Sequence, residues 1–128
     1  MKFNPTNKYH AVRSASKMKE LAGRSFASQI ERRRAEELIL LQRAKEISDL
    51  QFQPKVMICD VSYHPDFCYR EKKGQLVYEE VKGMEGERWR IIKQLWSFAG
   101  TTPLYVIKEC RGKLKTVEIL EKKSGDLD

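Results

Sequence analysis

The sequence predicts a mixed α/β fold, a β-sheet flanked by helices in the order α-β-β-β-α-β-β. Two stretches carry apolar residues at helical spacing, and five short runs rich in Val, Ile, Tyr and Leu are separated by Pro, Gly or Lys-Gly signals. Helices and strands alternate along the chain instead of falling into separate halves, which favours one layered sheet over two unrelated blocks. At 128 residues, 41% hydrophobic and 34% charged, the chain has the apolar content for one modest core. The expected organisation is a basic arm at 1–25, one domain at 26–121 and a polar tail at 122–128.

Taken in order, the arm is polar, basic and Ser-containing, with at most a short turn around Ala15 to Leu21 and a stop at Gly23. The first helix is expected over Gln29 to Glu46. Ser28 is a good N-cap, Glu31 completes a capping-box pattern, and Ala35, Leu38, Leu41 and Ala44 recur on one face, widened by Ile30 and Ile39. Pro54 breaks helix, and Val56 to Tyr63 reads as one strand. Pro65 bends the chain, and "DFCYRE" and "QLVYEEVKG" form a hairpin around "KKG". The second helix, "ERWRIIKQLWSFAG", sets Trp89, Ile92 and Trp96 on one face and stops at Gly100. Trp89, Trp96 and Phe98 read as core. "PLYVIKEC" and "LKTVEIL" are the last strands, turned by "RGK".

Charge and cysteine usage narrow the function. Residues 1–34 hold nine Lys or Arg against two Glu, which accounts for the whole net charge of +7. A basic arm beside a neutral body suits a polyanion, because each Lys or Arg near a phosphate releases condensed counterion; a solubilising tail is the plainer alternative. Three cysteines without CxxC spacing and two isolated histidines argue against a disulfide framework and a zinc site. No apolar run approaches the length of a membrane span and the N-terminal residues lack a secretory pattern, so a cytoplasmic protein with no membrane partner is expected.

The carboxylates of the hairpin carry the chemistry. With "KKG" as a three-residue loop the register centres on Lys73 and sets Asp66 directly across from Glu80; a two-residue loop would make them diagonal neighbours. Glu80 and Lys82 project from one face, and Glu79 from the other. Facing carboxylates repel in an ordinary sheet. A divalent cation reverses that cost, since Mg²⁺ takes one or two carboxylates together with waters and a phosphate oxygen. The Lys82 ammonium would orient or help deprotonate an attacking water and offset charge building on a phosphorane. The bland alternative is a solvated hairpin with Glu80–Lys82 and Asp66–Arg70 as surface charges. Glu31 is either a capping-box carboxylate or, since it shares the stripe of Ala35 and Leu38, a further ligand facing the body. Arg32 and Arg33 turn away from that stripe. Arg88, Arg90, Lys93 and Gln94 form a polar helix face or contact phosphates beside the site.

"PDF" at Pro65 to Phe67, "EVK" at Glu80 to Lys82 with Gly83 after it, "GRSFASQIE" at Gly23 to Glu31, "ISDLQFQPKV" at Ile47 to Val56 and "RWRIIKQLW" at Arg88 to Trp96 are the motifs that stand out. On these motifs, over residues 8 to 110, the chain resembles the PD-(D/E)xK nuclease superfamily and, within it, phage-encoded proteins similar to Holliday junction resolvases. The resemblance implies a restriction-endonuclease-like core. It implies Asp66 and Glu80 as ligands of Mg²⁺ or Mn²⁺ with the Val81 carbonyl as a third, Glu31 as an additional ligand directly or through water, and Lys82 as the catalytic lysine. The short stretch between "QPK" and "PDF" departs from the family and suggests a lost hairpin.

The expected activity is hydrolysis of phosphodiesters in branched DNA, four-way junctions above all, by a homodimer in the host cytoplasm. Lys8, Arg13, Lys17, Lys19, Arg24, Arg32, Arg33, Arg88, Arg90, Lys93 and Gln94 are the candidate DNA contacts, with Arg34 also expected to hold a phosphate. The alternatives are another nuclease of this fold acting on flaps or duplex, or a non-catalytic DNA-binding protein.

Overall fold

The computed structural model describes residues 13–123. The chain folds into a mixed α/β body built on a five-stranded sheet with a helix on each face. Two short strands, β1 (Ser14–Ala15) and β2 (Ser25–Phe26), pair antiparallel around a single 3₁₀ turn at Lys19–Leu21. Helix α1 (Gln29–Arg43) follows, then β3 (Ile47–Phe52), β4 (Val56–Ile58), β5 (Val61–Tyr63), β6 (Phe67–Glu71) and β7 (Leu76–Val81). Helix α2 (Glu87–Ala99) crosses to β8 (Leu104–Cys110), and β9 (Lys113–Leu120) ends the fold. The main sheet has the order β3-β6-β7-β8-β9; β7 and β8 are parallel and the other pairs antiparallel. Among the described residues no helix is long and apolar enough to cross a membrane.

Several expectations are corrected. The strand expected over Val56 to Tyr63 is a separate two-stranded hairpin, β4 and β5, turned at Cys59 and Asp60 with φ of 49° and 63°. Two positive φ values are what a tight two-residue hairpin turn requires, and Cys-Asp carries none of the Asn-Gly signal that normally announces one. A hairpin therefore does occupy the short stretch between "QPK" and "PDF". Strand β3 was not expected. Its pairing with β6 shifts between Ser48 and Gln51, and Asp49 there takes a φ of 56°, so a bulge breaks the alternation that would reveal a strand. Helix α1 stops at Arg43, short of Glu46.

The described part of the arm belongs to the body: Leu21 is fully buried in the core beside Phe26, while Lys8 lies outside the described residues. Phe98, expected in the core, is 75% exposed, because α2 turns Trp89, Ile92 and Trp96 to the sheet.

The sheet separates two apolar clusters. Under α1 lie Leu21, Phe26, Ala35, Leu38, Ile39, Ile47, Phe67, Tyr69 and Val77. Under α2 lie Ile58, Tyr63, Trp89, Ile92, Trp96, Leu104, Val106 and Leu120. The β6–β7 loop settles which side each carboxylate takes. The Glu71 amide donates to the Gln75 carbonyl at 2.8 Å and the Gly74 amide to the Glu71 carbonyl at 2.7 Å, closing a three-residue loop in which Gly74 has a φ of 97°. A side chain at that φ would be strained, so glycine is required there. Phe67 pairs with Glu79 and Arg70 with Leu76, the register centred on Lys73.

Candidate active site

One step beyond the Phe67–Glu79 pair, that register brings Asp66 across from Glu80. The alternation of β7 then separates its two glutamates. Glu79 lies on the α1 face with Val77 and Val81, fully buried. There it receives Arg34 Nε at 2.8 Å and Nη2 at 2.6 Å, and the Tyr69 hydroxyl. Glu80 lies on the opposite face, 8% exposed, accepting the Tyr63 hydroxyl at Oε1, with Lys82 Nζ 3.3 Å from Oε2. The expectation that Glu79 and Glu80 point apart is met. Arg34 is corrected: it is a part-buried partner of the buried Glu79 and not a free contact for phosphate.

Asp66 is anchored by its main chain and its side chain. Its carbonyl accepts the Gln53 amide at 3.0 Å, and its Oδ2 accepts the Val81 amide at 2.7 Å. The second bond stitches the aspartate to the residue between Glu80 and Lys82. Among the described residues, Oδ1 takes no hydrogen bond.

Glu31 sits in the first turn of α1, where its amide donates to the Ser28 hydroxyl at 3.1 Å. Only that half of the capping box is present. Among the described residues the Glu31 carboxylate makes no return bond to Ser28 and no ion pair, which leaves it free to act elsewhere.

The three carboxylates form one electrostatic group. Burial raises the Asp66 pKa well above the ordinary aspartate value, and the charges of Glu80 and Glu31 push it further; the Val81 amide and Lys82 offset part of this. Burial also raises Glu80, against the stabilising bonds from Tyr63 and Lys82. Glu31 is raised by burial and by Glu80, with Arg13 opposing. The group is thus short of positive charge even with Lys82 in place. Among the described residues no set of three His, Cys, Asp or Glu side chains stands as a preformed metal cage. Mg²⁺ does not need one, because it keeps several waters and takes one or two carboxylates.

A carboxyl group whose pKa is raised by folding favours the folded state below its ordinary pKa, and that contribution is lost as pH rises through the raised value. Asp66→Asn keeps an acceptor for the Val81 amide and removes the charge. In the absence of divalent cation this variant is expected to melt at a higher temperature than the parent near pH 8. The difference should vanish toward about pH 4, where the aspartate is largely protonated in the fold and about half protonated when unfolded. Thermal denaturation at the two pH values checks it.

Aromatic residues close the site on the α2 side. Lys82 Nζ lies 4.7 Å from the centroid of the Trp89 ring, within cation–π range, and Tyr63 packs against both Trp89 and Trp96. The Trp89 indole N–H is buried and without a hydrogen-bond partner among the described residues. On the other side a cleft of about 280 Å³ opens beside Asp66 and Glu31, lined by Arg13, Arg24, Phe52 and Gln53 among others.

Sequence reasoning named Arg13 and Arg24 as DNA contacts by charge, without placing them beside the carboxylates. It missed Tyr63, Phe52 and Gln53, which stand next to the carboxylates only because β3, β5 and β6 converge. The Pro flanked by short apolar runs carried no sign of that convergence.

The other basic candidates divide into paired and free. Arg32 pairs with Glu36 at 3.0 Å, Arg33 with Glu109 at 2.6 Å, and Lys93 with Glu118 at 3.0 Å. Arg88 donates to the Ser62 carbonyl at 2.8 Å and so ties α2 to β5. Among the described residues Lys17, Lys19, Arg24 and Arg90 are exposed without a carboxylate partner, and Gln94 is exposed as well.

No curated protein and no solved structure matches the chain. A family model does, over residues 7–111, a span that contains the carboxylates, Lys82, both helices and the cleft. The chain belongs to the family described as "Protein of unknown function (DUF1064)".

Proposed function

We propose that the chain is a metal-dependent endodeoxyribonuclease with a restriction-endonuclease-like core, hydrolysing phosphodiesters in branched DNA and above all in four-way junctions. The observation that carries the proposal is the facing pair Asp66 and Glu80, with Asp66 held by the Val81 amide, Lys82 on the same face and Glu31 coupled to both. An ordinary sheet has no reason to hold three partly desolvated carboxylates around one ammonium. A divalent cation fits the deficit in positive charge. Asp66 and Glu80 would hold it with the Val81 carbonyl, and Glu31 would join through a water molecule. When bound, Mg²⁺ or Mn²⁺ supplies Lewis acidity toward the phosphate and lowers the pKa of water.

The chain's own residues do the rest. Lys82, held between Glu80 and the face of Trp89, orients the attacking water and offsets charge on the phosphoryl oxygens. Tyr63 fixes the rotamer of Glu80 through its hydroxyl. The exposed Lys17, Lys19 and Arg90 hold backbone phosphates without reading bases, and Arg13 adds a guanidinium at the cleft. Two symmetric cuts in a junction need two such sites, so a homodimer is the expected working form.

The test is a substrate panel. Labelled four-way junction, flap and linear duplex are incubated separately with the full chain and Mg²⁺, and again with EDTA. Preferential, EDTA-sensitive cutting of the junction supports the proposal. Equal cutting of duplex moves the reading to a general nuclease of this fold, and binding without cleavage moves it to a DNA-binding protein.

A further inference from the structure

The cleft beside the carboxylates has a chemistry that phosphate binding does not explain. Its wall includes Phe52, with the Arg24 guanidinium carbon 4.0 Å from the ring centroid. Phe52 is fixed from behind by edge contact with Phe67 at 5.7 Å and a tilted contact with Phe26 at 6.4 Å. The result is a planar cation on an immobilised ring. Gln53, next along, has a φ of 50°, a conformation that costs a non-glycine residue and recurs where a side chain must be aimed. Its amide is spent on the Asp66 carbonyl, so the backbone that carries Gln53 is locked to the aspartate while its side chain stays exposed at the cleft. Arg13, also in the lining, donates Nε to the Ser25 hydroxyl at 2.8 Å and Nη2 to the Ser25 carbonyl at 2.7 Å, which holds its guanidinium in place.

Size and charge limit what can occupy this space. At about 280 Å³ the cleft lies just below the range of roughly 300–1,000 Å³ usual for small-molecule sites, room enough for one base with its sugar. Glu31 and Asp66 are part of its lining, so a bare phosphate is repelled beside them and a neutral base is not. A guanidinium plane on an aromatic ring with a carboxamide beside it is the set of groups that proteins use to stack an unpaired base and bond to its edge.

We propose that this cleft is a subsite for one unstacked nucleotide, its base stacked on the Arg24 guanidinium that Phe52 backs, its edge toward Gln53 and its phosphate toward Arg13. The proposal rests on the nuclease reading for its purpose and deepens it. A site that must receive a splayed base beside the scissile phosphate selects DNA whose stacking is already broken, at a branch point or in a single strand, over continuous duplex.

The test separates bases from phosphates and needs no cleavage. Two labelled single strands of about ten nucleotides are compared by fluorescence anisotropy in EDTA, one of thymidines and one of the same length with every base removed. The full parent chain is expected to bind the thymidine strand roughly tenfold more tightly, and Arg24→Ala and Arg24→Lys should both lose that preference. Arg24→Lys keeps the charge and removes the plane, and because Arg24 is exposed neither change threatens the fold. Equal affinity of the parent chain for the two strands, or a preference that survives in Arg24→Lys, would overturn the subsite. The two readings also fail separately. A chain that prefers bases through Arg24 yet cuts nothing in Mg²⁺ keeps the subsite and loses the nuclease reading. A chain that cuts junctions without any such preference keeps the nuclease reading and loses the subsite.

Discussion

Asp66→Asn, Glu80→Gln and Lys82→Ala are each expected to lower divalent-dependent cleavage of a four-way junction by roughly 10³-fold or more, while leaving junction binding near the parent level. The size follows from what each removes. A metal ligand or a charge at the reacting phosphate contributes several kcal/mol of transition-state stabilisation, and each tenfold in rate is about 1.4 kcal/mol. The changes are mild structurally. The carboxamide of Asp66→Asn would still accept the Val81 amide, and that of Glu80→Gln the Tyr63 hydroxyl. The loss of the Lys82 side chain frees one face of Trp89 without opening a large void. Single-turnover cleavage with a parallel gel-shift assay reads both quantities. Cutting by any of the three at the parent rate would remove that residue from the proposed site.

Arg34→Met is expected to destabilise the fold by about 3–5 kcal/mol, the typical cost of stripping the partner from a buried charge. Glu79 is fully buried and takes two hydrogen bonds from the Arg34 guanidinium, leaving only the Tyr69 hydroxyl if the arginine is removed. Against a total stability of about 5–15 kcal/mol for a domain, that is a large fraction. The companion change Glu79→Leu should recover much of the loss in the double variant, since an apolar pair replaces an orphaned charge. Urea midpoints of the single and double variants check both statements; a single variant within about 0.5 kcal/mol of the parent would contradict the role assigned to the pair. The pair also has a bearing on the site. Arg34 follows Glu31 by about one helical turn and Glu79 adjoins Glu80, so the clamp fixes the helix carrying one carboxylate against the strand carrying another.

The sequence made some of this plain and hid the rest for physical reasons. The α1 and α2 stripes, the "KKG" loop and the split between Glu79 and Glu80 follow from two periodicities and one glycine, and these are local. Strand β3 stayed hidden because Asp49 bulges it, and the β4–β5 hairpin because Cys59 and Asp60 adopt left-handed conformations without glycine. Arg34 read with Arg32 and Arg33 as a phosphate contact; its part-buried place depends on a carboxylate 45 residues away that no local pattern reveals. Glu31 was legible as a cap and ambiguous as anything more. Its missing return bond to Ser28 and its coupling to Glu80 are properties of the assembled fold. Tyr63, Phe52 and Gln53 belong to segments with no signal of their own and acquire meaning only beside Asp66.

The central claim is that Asp66 and Glu80 are placed to share a divalent cation. Calorimetric titration of the full chain with Mn²⁺, beside Asp66→Asn and Glu80→Gln, tests it without DNA or turnover. Saturable binding by the parent chain that is lost in both variants is the predicted result. Absence of binding in the parent chain, or equal binding in the variants, would contradict it.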